Sequence, residues 1–227
     1  MTINRLLIVF FSLLIILLTA TMGCLVWLFN TEVEITASSE RRFESYKLAD
    51  ELRQSSDDLT TMARLYVSTG DERFAIQFQE ILDIRSGEAP RPDNYDRVYW
   101  DLVVKDGERP EASGQAVSLE SRMIEEGFTT LEFSKLSESQ RLSNDLVRLE
   151  SIAMNAVRGR FDDGTGKFNR AGEPDFELAR QLMFGNDYLR AKAAIMEPIN
   201  EFLALLDERT SEEVAQLRAQ GRLILQI

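Results

Sequence analysis

From Leu6 to Phe29 the chain runs LLIVFFSLLIILLTATMGCLVWLF, 24 residues without a charge. As a helix this stretch is about 36 Å long, enough to cross a hydrocarbon core with some tilt. Beyond it the apolar residues thin out and recur at helical spacing. Leu48, Leu52, Ser55, Leu59, Met62 and Tyr66 follow a 4-3-4-3 pattern, the seam of a helical bundle, and predict a helix over Thr31–Thr69. Gly70 suits its end and Asp71 can cap a second helix, Glu72–Arg85. Pro90 and Pro92 block helix in the loop Ser86–Asn94, and the aromatic run Tyr95–Val103 predicts a short helix after it. Residues 104–117 are polar and read as loop.

The second half repeats the theme. A short helix, Leu119–Glu126, stops at Gly127. Thr129 and Glu132 then form a capping box, with Phe128 and Phe133 placed as a hydrophobic staple. The helix they start extends to about Arg158, with Leu142, Leu146, Leu149, Ala153 and Ala156 on one face. A loop, Gly159–Glu173, leads to a helix Pro174–Phe184, whose proline suits the first helical position. After the turn Gly185-Asn186-Asp187, a long helix runs from Tyr188 past Gln220, inward on Ile195, Ile199, Phe202 and Leu206, with Pro198 as a mild kink. No sustained two-residue alternation argues for strands. The expected fold is all-α: an elongated antiparallel four-helix-type bundle with extra short helices, preceded by a transmembrane helix.

The apolar stretch is too long for a cleaved signal peptide, and no small-residue cleavage site follows it. Thr21-Met22-Gly23-Cys24 loosely matches a lipobox, but Leu25–Phe29 stays apolar where a lipoprotein turns polar. An uncleaved signal anchor fits better. Arg5 holds residues 1–5 in the cytoplasm, Trp27 sits at the outer interface, and residues 31–220 form an extracytoplasmic domain. The tail Leu223–Ile227 turns apolar again and is expected to begin a second, truncated membrane helix.

Composition narrows the chemistry. The chain carries 26 basic and 38 acidic residues, a net charge of −12, and all but Arg5 of these charges lie beyond residue 30. Such a surface repels phosphate backbones, so nucleic acid is not an expected partner. With no histidine and one cysteine, zinc sites of the usual kind and histidine-based catalytic triads are excluded by inventory. Catalytic residues, metal ligands and cofactors are all expected to be absent. Asp162-Asp163-Gly164-Thr165-Gly166 lacks the register of a calcium loop and reads as a turn.

The best candidate for ligand binding is the segment Arg85–Asp101. Arg85, Arg91, Tyr95, Tyr99 and Trp100 cluster there around two prolines and supply the planar cations and amphipathic rings that a small organic anion needs. The competing assignment makes Tyr99 and Trp100 a plug at the end of the bundle. Arg64 and Tyr66, ahead of Gly70, are further candidates.

Three segments, Leu59–Phe74 (LTTMARLYVSTGDERF), Ile81–Val103 (ILDIRSGEAPRPDNYDRVYWDLV) and Phe184–Arg209 (FGNDYLRAKAAIMEPINEFLALLDER), resemble a sensor module at the front of methyl-accepting chemotaxis receptors. Membrane-bound sensor histidine kinases and diguanylate cyclases share that plan. The resemblance covers most of residues 31–220. It implies a homodimeric receptor region in the bacterial inner membrane, not itself an enzyme, that binds a small molecule or a periplasmic binding protein and relays binding by helix displacement. The rival from another class is a membrane-anchored structural coiled-coil protein.

Overall fold

The computed structural model describes residues 3–107, 109, 112 and 114–224. The fold is all-α. Seven helices occur among the described residues: α1 (Ile3–Thr69), α2 (Glu72–Ser86), α3 (Tyr99–Asp106), α4 (Leu119–Glu125), α5 (Thr130–Val157), α6 (Phe176–Phe184) and α7 (Asn186–Ile224). The chain divides into two compact units, Met1–Phe43 with Asp207–Ile227, and Glu44–Leu206.

In the first unit, α1 contains a stretch long and apolar enough to cross a membrane, and none of it is buried. After that stretch α1 turns polar and pairs antiparallel with α7. Ser38 Oγ donates to Glu213 Oε2 at 3.1 Å, and Arg42 bridges Asp207 at 2.6 Å. The expected start of a second membrane segment falls partly on residues 225–227, outside the described residues.

The second unit is a four-helix-type bundle of α1, α2, α5 and α7, with α3, α4 and α6 packed on it. All six positions of the predicted α1 seam are buried, as are Ile195, Ile199, Phe202 and Leu206 on α7. Each large apolar side chain removed from water contributes about 1.5–3 kcal/mol, so the seam is where the bundle gets its stability. Hydrogen bonds fix the register: Tyr188 meets Thr60, Lys192 meets Ser56, and Ser139 donates to the carbonyl of Ile195.

Caps settle the boundaries. Asp71 accepts from the Arg73 amide, Ser118 from that of Ser121 and Asp175 from that of Leu178. The capping box at Thr129 and Glu132 is complete, at 3.2 and 2.8 Å. Three predicted starts move. Helix α6 begins at Phe176 because Asp175, not the residue before Pro174, supplies the cap. Helix α3 begins at Tyr99, not Tyr95, because the backbone is still turning at Asn94 (φ 56°), whose carbonyl accepts from Arg97. Nor does α7 wait for Tyr188: it starts at Asn186, directly after Gly185.

One feature of the 159–173 loop is absent from the sequence pattern. Arg160–Phe161 and Arg170–Ala171 pair as a two-residue antiparallel ladder. Strands this short leave no alternation to read. Gly159 is required here: a Cβ would sit 2.3 Å from the Gly172 carbonyl oxygen. The Asp162–Gly166 turn closes on itself, with Asp162 accepting from the amides of Gly164 and Gly166, and Asp163 from that of Thr165.

Candidate functional site

The seven residues singled out from sequence do not form one site. Arg91, Tyr95, Tyr99 and Trp100 come together. Tyr99 and Trp100 meet edge to face with centroids 5.1 Å apart, and Trp100 Nε1 donates to the Tyr95 hydroxyl at 3.0 Å. The guanidinium of Arg91 lies 5.5 Å from the Tyr95 ring centre. All three rings are buried in the core, and burial pushes the Tyr95 hydroxyl well above its ordinary range. The Arg91 cation is already engaged, since it and Arg122 both bind the buried carboxylate of Glu51, at 3.1 and 2.8 Å.

Arg64 and Tyr66 lie in other surroundings. Arg64 donates to the Met183 carbonyl and stacks over Phe184 and Tyr188, at 4.9 and 5.0 Å. Tyr66 donates to Glu72, which also holds Arg158.

Arg85 stands apart in another way. It sits in the last turn of α2, only 8% exposed, with Nη1 donating to Ser143 Oγ at 2.9 Å and Nη2 to Asn144 Oδ1 at 2.8 Å. Both partners are neutral, and no carboxylate among the described residues lies in ion-pair contact with it. A buried cation without a contacting counter-ion is costly, and burial accordingly lowers the pKa of Arg85, opposed by Glu150 and Tyr95 at longer range. Arg85 lines a cavity of about 410 Å³ bordered by α2, α4 and α5, with Asp83, Glu88, Glu120, Gln140 and Asn144 around it. The wall between α2 and α4 is tight. Gly87 caps α2 in the left-handed conformation (φ 79°), and a Cβ there would lie 2.5 Å from the Ser118 amide nitrogen.

Sequence reasoning missed a second polar cluster, inside the bundle. Glu150 of α5 is 1% exposed. Its carboxylate accepts from the Tyr188 hydroxyl at 2.6 Å and the Thr60 hydroxyl at 3.2 Å. The Tyr188 and Thr60 hydroxyl oxygens lie 2.8 Å apart, and Lys192 of α7 reaches Ser56 and Asp57, at 2.8 and 2.9 Å. Burial drives the Glu150 carboxyl up to about 7, against the opposing pull of Tyr188, Lys192, Thr60 and Arg85. Burial lowers Lys192, although Asp57 offsets part of the effect. Asp58, beside this cluster, is raised to about 7 by burial and then by the charges of Asp101 and Asp57. A visible signal existed. Glu150 and Lys192 each occupy a position in their helix's own 4-3 repeat, where an apolar residue belongs.

Among the described residues no group of three or more histidine, cysteine, aspartate or glutamate side chains is placed to hold a metal ion. What the two clusters offer is directed hydrogen bonding and charge at helix–helix contacts. Comparison of the chain with protein-family models, with curated proteins and with solved structures finds no match.

Proposed function

We propose that this chain is the membrane-anchored, extracytoplasmic sensing region of a bacterial transmembrane signalling receptor of the methyl-accepting chemotaxis type. The same region would serve a membrane histidine kinase or a diguanylate cyclase. It works as a homodimer in the inner membrane. A small molecule, or a periplasmic binding protein, binds the helical domain and favours one of two helix arrangements, with a displacement of about 1–2 Å carried towards the membrane.

The observation that carries this reading is α1 itself. One unbroken helix, Ile3–Thr69, bears the membrane-compatible stretch at one end and, at the other, the seam residues and the polar contacts of Ser56, Asp57 and Thr60. Any rearrangement of α5 or α7 against those contacts acts on the helix that carries the apolar stretch. A purely structural coiled coil has no use for Glu150 and Arg85 in its interior, or for the partly buried Lys192, since each costs desolvation energy that an apolar residue would not. Charges kept inside at that cost support a bundle with two accessible arrangements.

The test is a thermal-shift screen of the full chain in detergent micelles against a library of bacterial metabolites. A ligand at 100 times its Kd adds about 2.7 kcal/mol, which is easily read. At least one compound is expected to raise Tm in a saturable way. Silence across the library contradicts direct sensing of a small molecule and favours a protein partner or the structural alternative.

A further inference from the structure

The cavity at Arg85 has a charge pattern that selects among ligands. At its buried side is a single guanidinium whose two hydrogen-bonded partners, Ser143 and Asn144, are neutral. Of the five N–H groups of an arginine, these bonds use two, so three donors remain without a protein acceptor. Around the cavity stand three carboxylates, Asp83, Glu88 and Glu120, of which Glu88 and Glu120 are exposed. In a chain of net charge −12 exposed carboxylates are common and by themselves select nothing. An arginine more than nine-tenths buried, facing a cavity and lacking a contacting counter-ion, is a different matter.

A simple organic anion would satisfy Arg85 but would sit among three like charges. A simple cation would satisfy the carboxylates and leave the guanidinium unmatched. A molecule with one carboxylate and one ammonium group answers both ends. The amides of Gln140 and Asn144 offer donors and acceptors for its remaining polar atoms. The volume, about 410 Å³, falls within the roughly 300–1,000 Å³ usual for small-molecule sites.

We infer that the cavity bordered by α2, α4 and α5 is a binding site for a small zwitterion of the amino-acid type, its carboxylate on Arg85 and its ammonium group towards Glu120 and its acidic neighbours. This refines the ligand class within the sensing role proposed above and rests on that reading for its purpose, although binding can be measured independently of it. The site lies where three helices meet. A ligand that draws Arg85 out of its contacts with Ser143 and Asn144 changes the packing of α2 on α5.

The experiment uses the full chain in detergent micelles, titrated calorimetrically with each of the twenty standard L-amino acids. At least one is expected to bind saturably. For that amino acid, the decarboxylated amine and the deaminated acid should each bind at least about tenfold more weakly, a loss typical of an unmatched charge. Arg85→Gln and Glu120→Lys should weaken binding by a similar factor. Glu120 is exposed, so its variant leaves the fold intact and decides the matter even if Arg85→Gln does not fold. Three results would overturn the proposal: no binding by any of the twenty, a deaminated acid that binds as tightly as its parent, or unchanged affinity in Glu120→Lys. A different kind of metabolite emerging from the broader screen would sink this assignment and leave the receptor reading standing.

Discussion

The hydroxyl of Tyr188 donates to the carboxylate of Glu150 at 2.6 Å, inside the bundle, where neither residue is more than 1% exposed. Tyr188 lies on α7 and Glu150 on α5, and Thr60 of α1 bonds to both. Three helices therefore meet at one ionisable group. Its protonation state is coupled to how they pack.

Stability should decline as pH rises through the range of that group. The Glu150 carboxyl has its ordinary value of 4.5 in the unfolded chain and about 7 in the folded one. Between those values the native state holds a proton that the unfolded state has lost, so raising the pH favours unfolding. The loss is on the order of 3 kcal/mol and is complete above about pH 7. Asp58, also raised to about 7, acts in the same direction. The lowered carboxylates, among them Glu72 and Asp96, act with the opposite sign at lower pH, where protonation removes their contribution. Denaturant unfolding across this range should show a maximum near pH 4–5. The chain has no histidine to confuse the upper limb. Glu150→Gln should flatten that limb by roughly half, and an unchanged slope would contradict the assignment.

Removing the donor has a distinct signature. The Tyr188 hydrogen bond lowers the Glu150 carboxyl against the effect of burial. Tyr188→Phe should thus shift the upper end of the stability decline to higher pH, and should cost about 1–3 kcal/mol at pH 8, where the carboxylate is charged. A variant with an unmoved transition would show that the two groups are not coupled.

Gly87 and Gly107 provide a matched pair. Both adopt left-handed backbone, with φ 79° and 72°, but among the described residues only the Cβ at Gly87 would strike a neighbour, the Ser118 backbone. Gly107→Ala should cost about 1 kcal/mol from backbone strain alone. Gly87→Ala should cost more, roughly 2–3 kcal/mol, because Ser118 must also move. Equal Tm losses in the two variants would mean that the α2–α4 wall is slack.

Loss of the Thr129 cap should be smaller. Thr129→Ala removes the acceptor for the Glu132 amide and should destabilise by about 1 kcal/mol, read as a lower denaturant midpoint at constant m-value. A loss several times larger would place this helix start in a more cooperative role than a cap.

Local rules and apolar periodicity were enough for most of the architecture. Leu48 to Tyr66 and Ile195 to Leu206 are buried as their spacing requires, and the capping box at Thr129 forms as written. The interior polar clusters escaped because following apolar residues along a face passes over the polar ones between them. On α5 the repeat reads Ser139, Ser143, Leu146, Glu150, Ala153, Val157, and on α7 it reads Tyr188, Lys192, Ile195, Ile199. Their partners are remote in sequence, Thr60 being 90 residues from Glu150 and 128 from Tyr188. Nearness in sequence also misled about the loop after α2. Arg85 and Arg91 are six positions apart, yet one reaches α5 and the other is held by Glu51 of α1, because the chain turns sharply at Gly87 between them.

A sensing role requires the helical domain to lie outside the cytoplasmic membrane, and cysteine labelling in living cells decides whether it does. Cys24 is the only cysteine, so a Cys24→Ser background carrying Asp187→Cys offers one thiol, at a side chain 98% exposed in the structure. A membrane-impermeant maleimide applied to intact bacterial cells should label it as fully as in cells whose inner membrane has been permeabilised. Labelling that appears only after permeabilisation would place the domain in the cytoplasm and contradict the sensing role.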